Sequence, residues 1–564
     1  MPVDRMATRW NGWGLSSAHS PMEGRDAAWP WVADALGVKE LPQTHPKPLA
    51  EIALPPSRLT GLAAAQLADV LRSDQIAPEP LERASHARGK SYHDLLHLRA
   101  GKLEACPDAV VYPENTDDAL QLLQWAQDHD AAIVPFGGGS SVVGGVTAQG
   151  RDLVIAADMT RMNAVVSTDP VSRTAVAQGG IYGIDLETKL QAKGLTLGHY
   201  PQSFEFSTLG GWIAARGAGQ QSNRYGKAEK WLVGAELATP SGLWRTEQFP
   251  ASAAGPNFNH LVAGSEGTLG LITEARFRVH TVPNVKQYRT YLMPSFEAGA
   301  DAIRTIVQDE VPVATMRLSD PDETHFYQAF ARAGLKAGWK DALQASALSL
   351  MGVGPRPCAL IIGFEGERDS VHFGLMQASI RLRRFGGTAV GAGPALRWYA
   401  QRFHGPYLRD PLMDRGVGVD TLETATHWSN ISNLYQAVRR ALMRACSEHA
   451  GIPGARGLVL AHISHSYPDG ASLYFTFIFP RDLTREIAQW QAIKHAASEA
   501  IAAAGGTISH HHGVGEDHLP WLVKEKGALG LAVLEAVKNR LDPKGIMNPG
   551  KLLASPNSRP PTAV

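Results

Sequence analysis

Three adjacent histidines, His510, His511 and His512, open the stretch "HHHGVGEDH". Imidazole titrates near pH ~6.5, so such rings can take and return protons around neutrality, although a solvated loop would tolerate the same run. In an extended segment alternate side chains share a face, which predicts His510 and His512 on one side and His511 on the other. Upstream, "AHISHSYPDGASLYFTF" carries His462, His465 and Tyr474 on two strand-like stretches. A free phenol has a pKa near ~10, so Tyr474 needs nearby positive charge or hydrogen bonds to support its anion, and neighbouring histidines would supply both. The plainer reading of Tyr474 is a strand aromatic packed in a core. Arg317 in "ATMRLSD" and Arg409 in "GPYLRD" each present a planar, permanently charged fork that matches phosphate or carboxylate. Arg317 interrupts a largely apolar strand, which favours the interior over a surface ion pair.

These groups need a body to position them, and three glycine-rich stretches indicate what else that body holds. "PFGGGSSVVGG" contains Pro135, Gly137, Gly138, Gly139, Ser140, Ser141, Gly144 and Gly145. Its glycines allow close backbone approach, and successive N–H groups with two hydroxyls can ring an anion. A glycine hairpin without a ligand is the alternative, and the spacing is not the dinucleotide fingerprint GxGxxG. "PQSFEFSTLGGWIAARGAGQQSNRYG" adds Pro201, Ser207, Thr208, Gly210, Gly211, Trp212, Gly217 and Ser222, and "GSEGTLGLITEA" adds Glu266, Gly267, Gly270 and Ile272. Three such loops imply a large phosphate-bearing cofactor laid across one domain.

Lys+Arg 54 against Asp+Glu 54 leaves no excess charge for a polyanion, so nucleic acid is not an expected partner. Cys106, Cys358 and Cys446 show no CxxC spacing, which argues against a disulfide framework or structural zinc, and no metal is expected. The opening "MPVDRMATRWNGWGLSS" lacks the apolar core of a signal peptide, no run approaches a membrane span, and the ending "PPTAV" is not a peroxisomal signal. A cytoplasmic protein is expected, with peripheral contact at the inner face of a membrane left open.

The pattern along the chain predicts an α+β fold. Residues 1–100 read as a helical and coil N-terminal extension, 101–285 as the cofactor domain, 286–505 as a second α+β domain, and 506–564 as a C-terminal segment carrying the histidines. "TDDALQLLQWAQDHD" has helical periodicity and runs into the apolar strand "AAIVPF".

The glycine stretches, together with "LDPKGIMNPGKLL", resemble the FAD-binding domain of the vanillyl-alcohol-oxidase flavoprotein family. "RWNGWG", "FEFSTLGGW", "ASLYFTFIF" and "ISHHHGVG" are similar, within it, to the alkyldihydroxyacetonephosphate synthases of ether-lipid biosynthesis, from residue 9 to about 553. This resemblance implies a two-subdomain PCMH-type FAD-binding domain, an α+β cap with an antiparallel sheet, and Asn548 among the cofactor residues. It implies Tyr474 and His510–His512 as catalytic groups and Arg317, Arg409, His462 and His465 at the substrate. FAD is expected to be non-covalent, since residues 130–150 hold no histidine to tether it. The implied reaction exchanges the acyl group of acyl-dihydroxyacetone phosphate for a fatty alcohol, with the flavin as electron sink and no net oxidation. A homodimer is the expected assembly.

His462, His465 and Pro468 depart from the synthase pattern, where an arginine, a glutamine and an aspartate are expected, which puts the phosphate contacts in question. "DPKGIMNPGK" looks more like the D-2-hydroxy-acid dehydrogenases of the superfamily, and such a dehydrogenase is the rival reading. A catalytically silent flavin- or lipid-binding protein is a third reading, opposed by the joint presence of Arg317, Arg409, Tyr474 and the histidines.

Overall fold

A computed structural model describes residues 7–332 and 353–554; the ending "PPTAV" and the first six residues lie outside them. The first sheet contains β1 (Ile76–Ala77), β2 (Ala109–Val111), β3 (Ala132–Phe136) and β4 (Val154–Asp158), in the order β1-β2-β4-β3. β4 pairs in parallel with both β2 and β3. Its central strands are short apolar runs because both faces are covered. Ile133 and Ile155 are fully buried, beside Leu122 and Trp125 of the helix Thr116–Asp128. Asn115 caps that helix by accepting the Asp118 N–H at 2.9 Å.

The second sheet is antiparallel: β5 (Val165–Asp169), β6 (Thr174–Gln178), β8 (Leu232–Thr239), β9 (Gly242–Arg245) and β10 (Leu271–Arg278), ordered β5-β6-β10-β8-β9. The short strands β7 (Leu195–Thr196) and β11 (His280–Thr281) pair beside it. Four helices, Ala28–Leu36, Gly61–Val70, Pro80–Ser85 and Tyr92–Ala100, precede β2, with β1 between the second and the third.

The third sheet has seven strands: β12 (Val285–Met293), β13 (Thr315–Ser319), β14 (Cys358–Gly366), β15 (Thr388–Gly391), β16 (Val417–His427), β17 (Leu458–Ser466) and β18 (Gly470–Pro480). They run β15-β12-β14-β13-β17-β18-β16, every pair antiparallel. β14 lies between β12 and β13, which are consecutive in the chain. Strand alternation divides the residues cleanly. Leu318, Ile362, Ile463, Leu473 and Phe475 are buried in one large core with Ile303, Val438 and Ile493 from three covering helices, Phe296–Gln308, Ile431–Glu448 and Glu486–Ala503. Arg317, His462, Tyr474 and Glu423 occupy the opposite face, because His462 and Glu423 are the cross-strand partners of Tyr474 and Arg317 reaches His462.

After the helix Glu486–Ala503, residues 507–518 cross this polar face before the helix Leu519–Leu541. The chain then rejoins the first sheet: Ile133 donates its N–H to Ile546 and accepts from Asn548, at 2.9 and 2.8 Å. Among the described residues no helix is long and apolar enough to cross a membrane.

Candidate active site

The cap sheet builds one wall of the site. On β17 an extra residue between Ile463 and His465 forms a bulge, and the register resumes with His465 opposite Ser472. That shift places His465 on the same face as His462, three positions away. Arg317 donates from Nη1 to His462 Nε2 at 2.8 Å and from Nη2 to Glu323 Oε1 at 3.0 Å. His462 Nδ1 is 3.0 Å from the same carboxylate oxygen. Accepting from arginine at one nitrogen and donating to glutamate at the other fixes His462 as a neutral tautomer. Burial and the Arg317 charge both lower its pKa. For Glu323, burial acts to raise the pKa, but His462 and Arg317 outweigh it and hold the carboxyl at about 2.

The histidine run is a bend, not an extended strand. Glu423, fully buried on β16, accepts the N–H of His511 at 3.0 Å and of His512 at 2.8 Å, the hydroxyl of Ser509 at 2.9 Å, and the N–H of His510. Converging three successive N–H groups on one carboxylate curls the backbone, so the expected division into opposite faces does not occur. The ring centroids of His510 and His511 lie 5.1 and 5.3 Å from His465, while His511 and His512 lie 6.1 and 5.7 Å from Tyr474. His510 Nε2 meets the Tyr467 hydroxyl at 2.6 Å and its carbonyl accepts from Lys227 Nζ at 2.5 Å.

Burial lowers the pKa of all three rings, helped by Lys227 at His510 and by His512 at His511. His465, whose Nε2 donates to the Gly219 carbonyl at 3.1 Å, is held at about 3 by burial and Lys227. Neutral rings supply no positive charge to a phenolate. Burial accordingly raises the Tyr474 pKa, a hydrogen bond with Thr421 and the charge of Arg409 offsetting only part. This corrects the expectation that the histidines lower it: at neutral pH Tyr474 is a proton donor. Its ring stacks on His462 at 5.0 Å. Arg409 donates to the Lys90 carbonyl at 2.6 Å, and its charge reaches Tyr474 and His512 from outside the sheet.

The glycine-rich loops close on this wall at Glu266 as well as at Gly219 and Lys227. Glu266, at φ 52°, accepts from Val514 and Gly515 at 2.6 and 2.7 Å, joining its loop to the histidine turn. Asn548 donates to the Gly145 and Glu266 carbonyls at 3.0 and 2.7 Å. Gly138 packs so tightly that a Cβ there would lie 1.8 Å from the Phe206 carbonyl oxygen. Ser140 and Ser141 are both half-buried, and the Ser141 hydroxyl accepts the Gly145 N–H at 3.0 Å and closes the first loop. Gly137 and Gly211 lie against Thr208, which caps the helix Leu209–Ala214, and Gly267 lies against Pro135. Gly139 and Gly144 both take positive φ. Ser207 accepts from the Trp212 indole at 2.7 Å, Ser222 accepts from Gly219 at 2.9 Å, the Gly210 N–H bonds Gly179, and the carbonyls of Pro201 and Gly217 accept from Phe204 and Ala228, so these residues shape their own segment. Gly270 and Ile272 pack at the start of β10.

Two buried atoms in these loops, Ser265 Oγ and Asn548 Oδ1, have no hydrogen-bond partner among the described residues. An unmet buried polar atom costs about 1–3 kcal/mol, so both suit a polar ligand held between the loops. FAD fits this set, and the backbone N–H groups of the first loop with Ser265 and Asn548 would hold its polar groups.

Glu423, Glu323, Lys227 and Tyr467 were not apparent from sequence alone. The available signal was a carboxylate at an alternating position of the strand pattern "VGVDTLETATH".

Residues 107–247 match the family model described as an FAD binding domain, and residues 282–552 the one described as FAD linked oxidases, C-terminal domain. The chain is 34% identical over 528 residues to alkyldihydroxyacetonephosphate synthase of Dictyostelium discoideum, covering 93% of this chain and 84% of that protein. It is 35% identical over 515 residues to the Trypanosoma brucei brucei synthase, covering 90% and 83%. A solved alkyldihydroxyacetonephosphate synthase structure superposes with a TM-score of 0.82 at 30% identity, covering 98% of this chain and 100% of the other. By shared length and fold the chain belongs to the alkyldihydroxyacetonephosphate synthase family of FAD-binding flavoproteins.

Proposed function

We propose that this protein is an FAD-dependent alkyl transferase that replaces the acyl group of acyl-dihydroxyacetone phosphate with a fatty alcohol, without net redox change. The observation that carries the reading is the packing of neutral His511 and His512 around protonated Tyr474, beside the Arg317–His462–Glu323 group. FAD, when bound, supplies an electron sink for the substrate carbon that gives up its proton. The neutral histidines accept that proton at a ring nitrogen and return it to the same carbon once the alcohol oxygen has replaced the carboxylate there; the Tyr474 hydroxyl hydrogen-bonds the departing carboxylate, which leaves as the fatty acid with the proton the alcohol gives up. Glu423 keeps the turn in place so that the rings remain where the substrate arrives. Arg317 retains its charge against Glu323 and offers the phosphate a fixed cation, and Arg409 adds a second charge from the cap.

FAD is held without a covalent bond, because the first glycine loop contains no histidine. The enzyme works as a homodimer in the cytoplasm, touching the inner face of a membrane from which its lipid substrates come. Incubation with acyl-dihydroxyacetone phosphate and hexadecanol, followed by mass spectrometry, tests the reaction. Alkyl-dihydroxyacetone phosphate and free fatty acid in equal amounts are expected. Ester hydrolysis without ether formation would overturn it.

A further inference from the structure

His465 on β17 and His510 and His511 on the histidine turn form a group with a geometry of its own. A ring nitrogen of each lies within 4.8 Å of a ring nitrogen of the other two. Their ring centres make a near-equilateral triangle with sides of 5.1, 5.3 and 5.2 Å. A tetrahedral zinc ion takes imidazole nitrogens at about 2.0–2.1 Å, which sets two such nitrogens about 3.3 Å apart and their ring centres about 5 Å apart. The Nδ1 atoms of His510 and His511 are already 3.0 Å apart.

The surroundings supply the outer partners that orient metal-binding histidines. His510 Nε2 faces the Tyr467 hydroxyl at 2.6 Å, so Tyr467 accepts its N–H and leaves Nδ1 for an ion. His465 has the Gly219 carbonyl at Nε2 and the Ser464 hydroxyl at Nδ1, 3.1 and 2.9 Å away. Either nitrogen can therefore bind while the other keeps a partner. The buried Glu423 carboxylate, 3.8 Å from His511 Nδ1, supplies negative charge beside the group and offsets the Lys227 ammonium at the His510 carbonyl. The third ring is particular to this chain, because His465 stands where the resembling synthases carry glutamine, whose amide oxygen suits harder cations.

We propose that His465, His510 and His511 bind one divalent transition-metal cation of the zinc class, and that this ion shuts off turnover. His511 then gives its lone pair to the metal instead of to the substrate proton. The binding site stands independently of the transfer reaction proposed above, and the loss of turnover rests on it. Magnesium and calcium take oxygen ligands and do not compete for three imidazoles.

The test titrates zinc chloride into the FAD-loaded, EDTA-treated and dialysed chain by calorimetry, with cobalt(II) absorbance as a second reading. One tight equivalent per chain is expected, with the visible bands of tetrahedral cobalt and no response to magnesium. His465→Gln is expected to weaken that equivalent by at least about 100-fold and Tyr467→Phe by roughly 10–100-fold, since losing even an outer partner costs that much. The His93–His97 pair, with Nε2 atoms 3.1 Å apart, offers only two ligands and is untouched by either change. In the same samples zinc is expected to stop ether formation in proportion to its occupancy, and EDTA to restore it. Wild-type protein without a tight equivalent, or a flavin-loaded His465→Gln variant that keeps it, would overturn the site. Should that variant lose its flavin, octahedral cobalt bands in the wild type would overturn it instead. Tightly bound zinc with ether formation undiminished would overturn the inhibitory role and leave the transfer reaction standing. Absence of ether from metal-free protein would overturn the transfer reaction and the inhibition with it, while the binding data still decide the site.

Discussion

Replacing Glu423 with glutamine removes the charge on which the histidine turn is built while nearly preserving shape. The carboxylate accepts four donors, the Ser509 hydroxyl and three successive N–H groups, from a fully buried position. Burial acts to raise its pKa, but His512 and His510, through the charge they take up only in acid, and the N–H groups of His511 and His512 prevail and take it from 4.5 to about 2. One pKa unit is 1.36 kcal/mol, so this lowering corresponds to about 3 kcal/mol favouring the ionised, folded state. Glutamine offers one acceptor oxygen and turns an N–H₂ toward the remaining donors, so Glu423→Gln should lose stability of that order. Because the folded pKa is depressed, the contribution is complete above the unfolded value near 4.5 and fades as pH falls toward 2. The gap between wild type and variant should therefore be constant around neutrality and shrink in acid. Urea unfolding followed by tryptophan fluorescence, with unfolding rates compared if refolding is incomplete, measures it. The same variant should lose roughly 10²–10⁴-fold in turnover as the rings leave their positions. A variant as stable and as active as wild type at neutral pH would refute the assignment of Glu423 as the anchor.

Tyr474→Phe removes only a hydroxyl from a packed ring, so flavin content should be unchanged while turnover falls roughly 10²–10⁴-fold, measured by product formation and the flavin absorbance of the purified protein. Arg317→Lys keeps charge but loses the fork shared with His462 and Glu323; loss of a charged hydrogen bond of about 1.5–3 kcal/mol predicts roughly 10- to 150-fold weaker binding of the phosphate substrate by calorimetry. His465 and the histidine run have folded pKa values below 6.5, so the stability they contribute is present above that value and lost as pH falls; His465→Gln should flatten the acid side of the melting profile between 6.5 and about 3. Gly138→Ala should yield protein that binds flavin poorly, read from its absorbance, because its Cβ would fall on the Phe206 carbonyl.

Much of this organisation is readable in the sequence, for identifiable reasons. Period-two alternation in "ASLYFTFIFP" fixes which face of β18 carries Tyr474, and helical periodicity in "EAGADAIRTIVQDE" marks the helix over β13. Long-range pairing is not written in local patterns. Nothing near Glu423 in the chain indicates that it meets residues 509–512, since the contact spans more than 80 positions. The sign of the Tyr474 shift was likewise hidden: residue type suggested charged histidines, whereas enclosure beside Lys227 keeps them neutral. The bulge that turns His465 toward the site depends on register with Ser472, which strand propensity does not specify.

The central claim is exchange without oxidation, and one anaerobic experiment tests it most directly. Enzyme is mixed with acyl-dihydroxyacetone phosphate, hexadecanol and an electron-accepting dye, and ether product and dye colour are followed together. The account predicts steady ether formation with the dye left oxidised, and no dye reduction when D-lactate or glycolate replaces the acylated phosphate. Continuous dye reduction by a 2-hydroxy acid, with no ether formed from the acylated phosphate, would contradict it and establish a dehydrogenase instead.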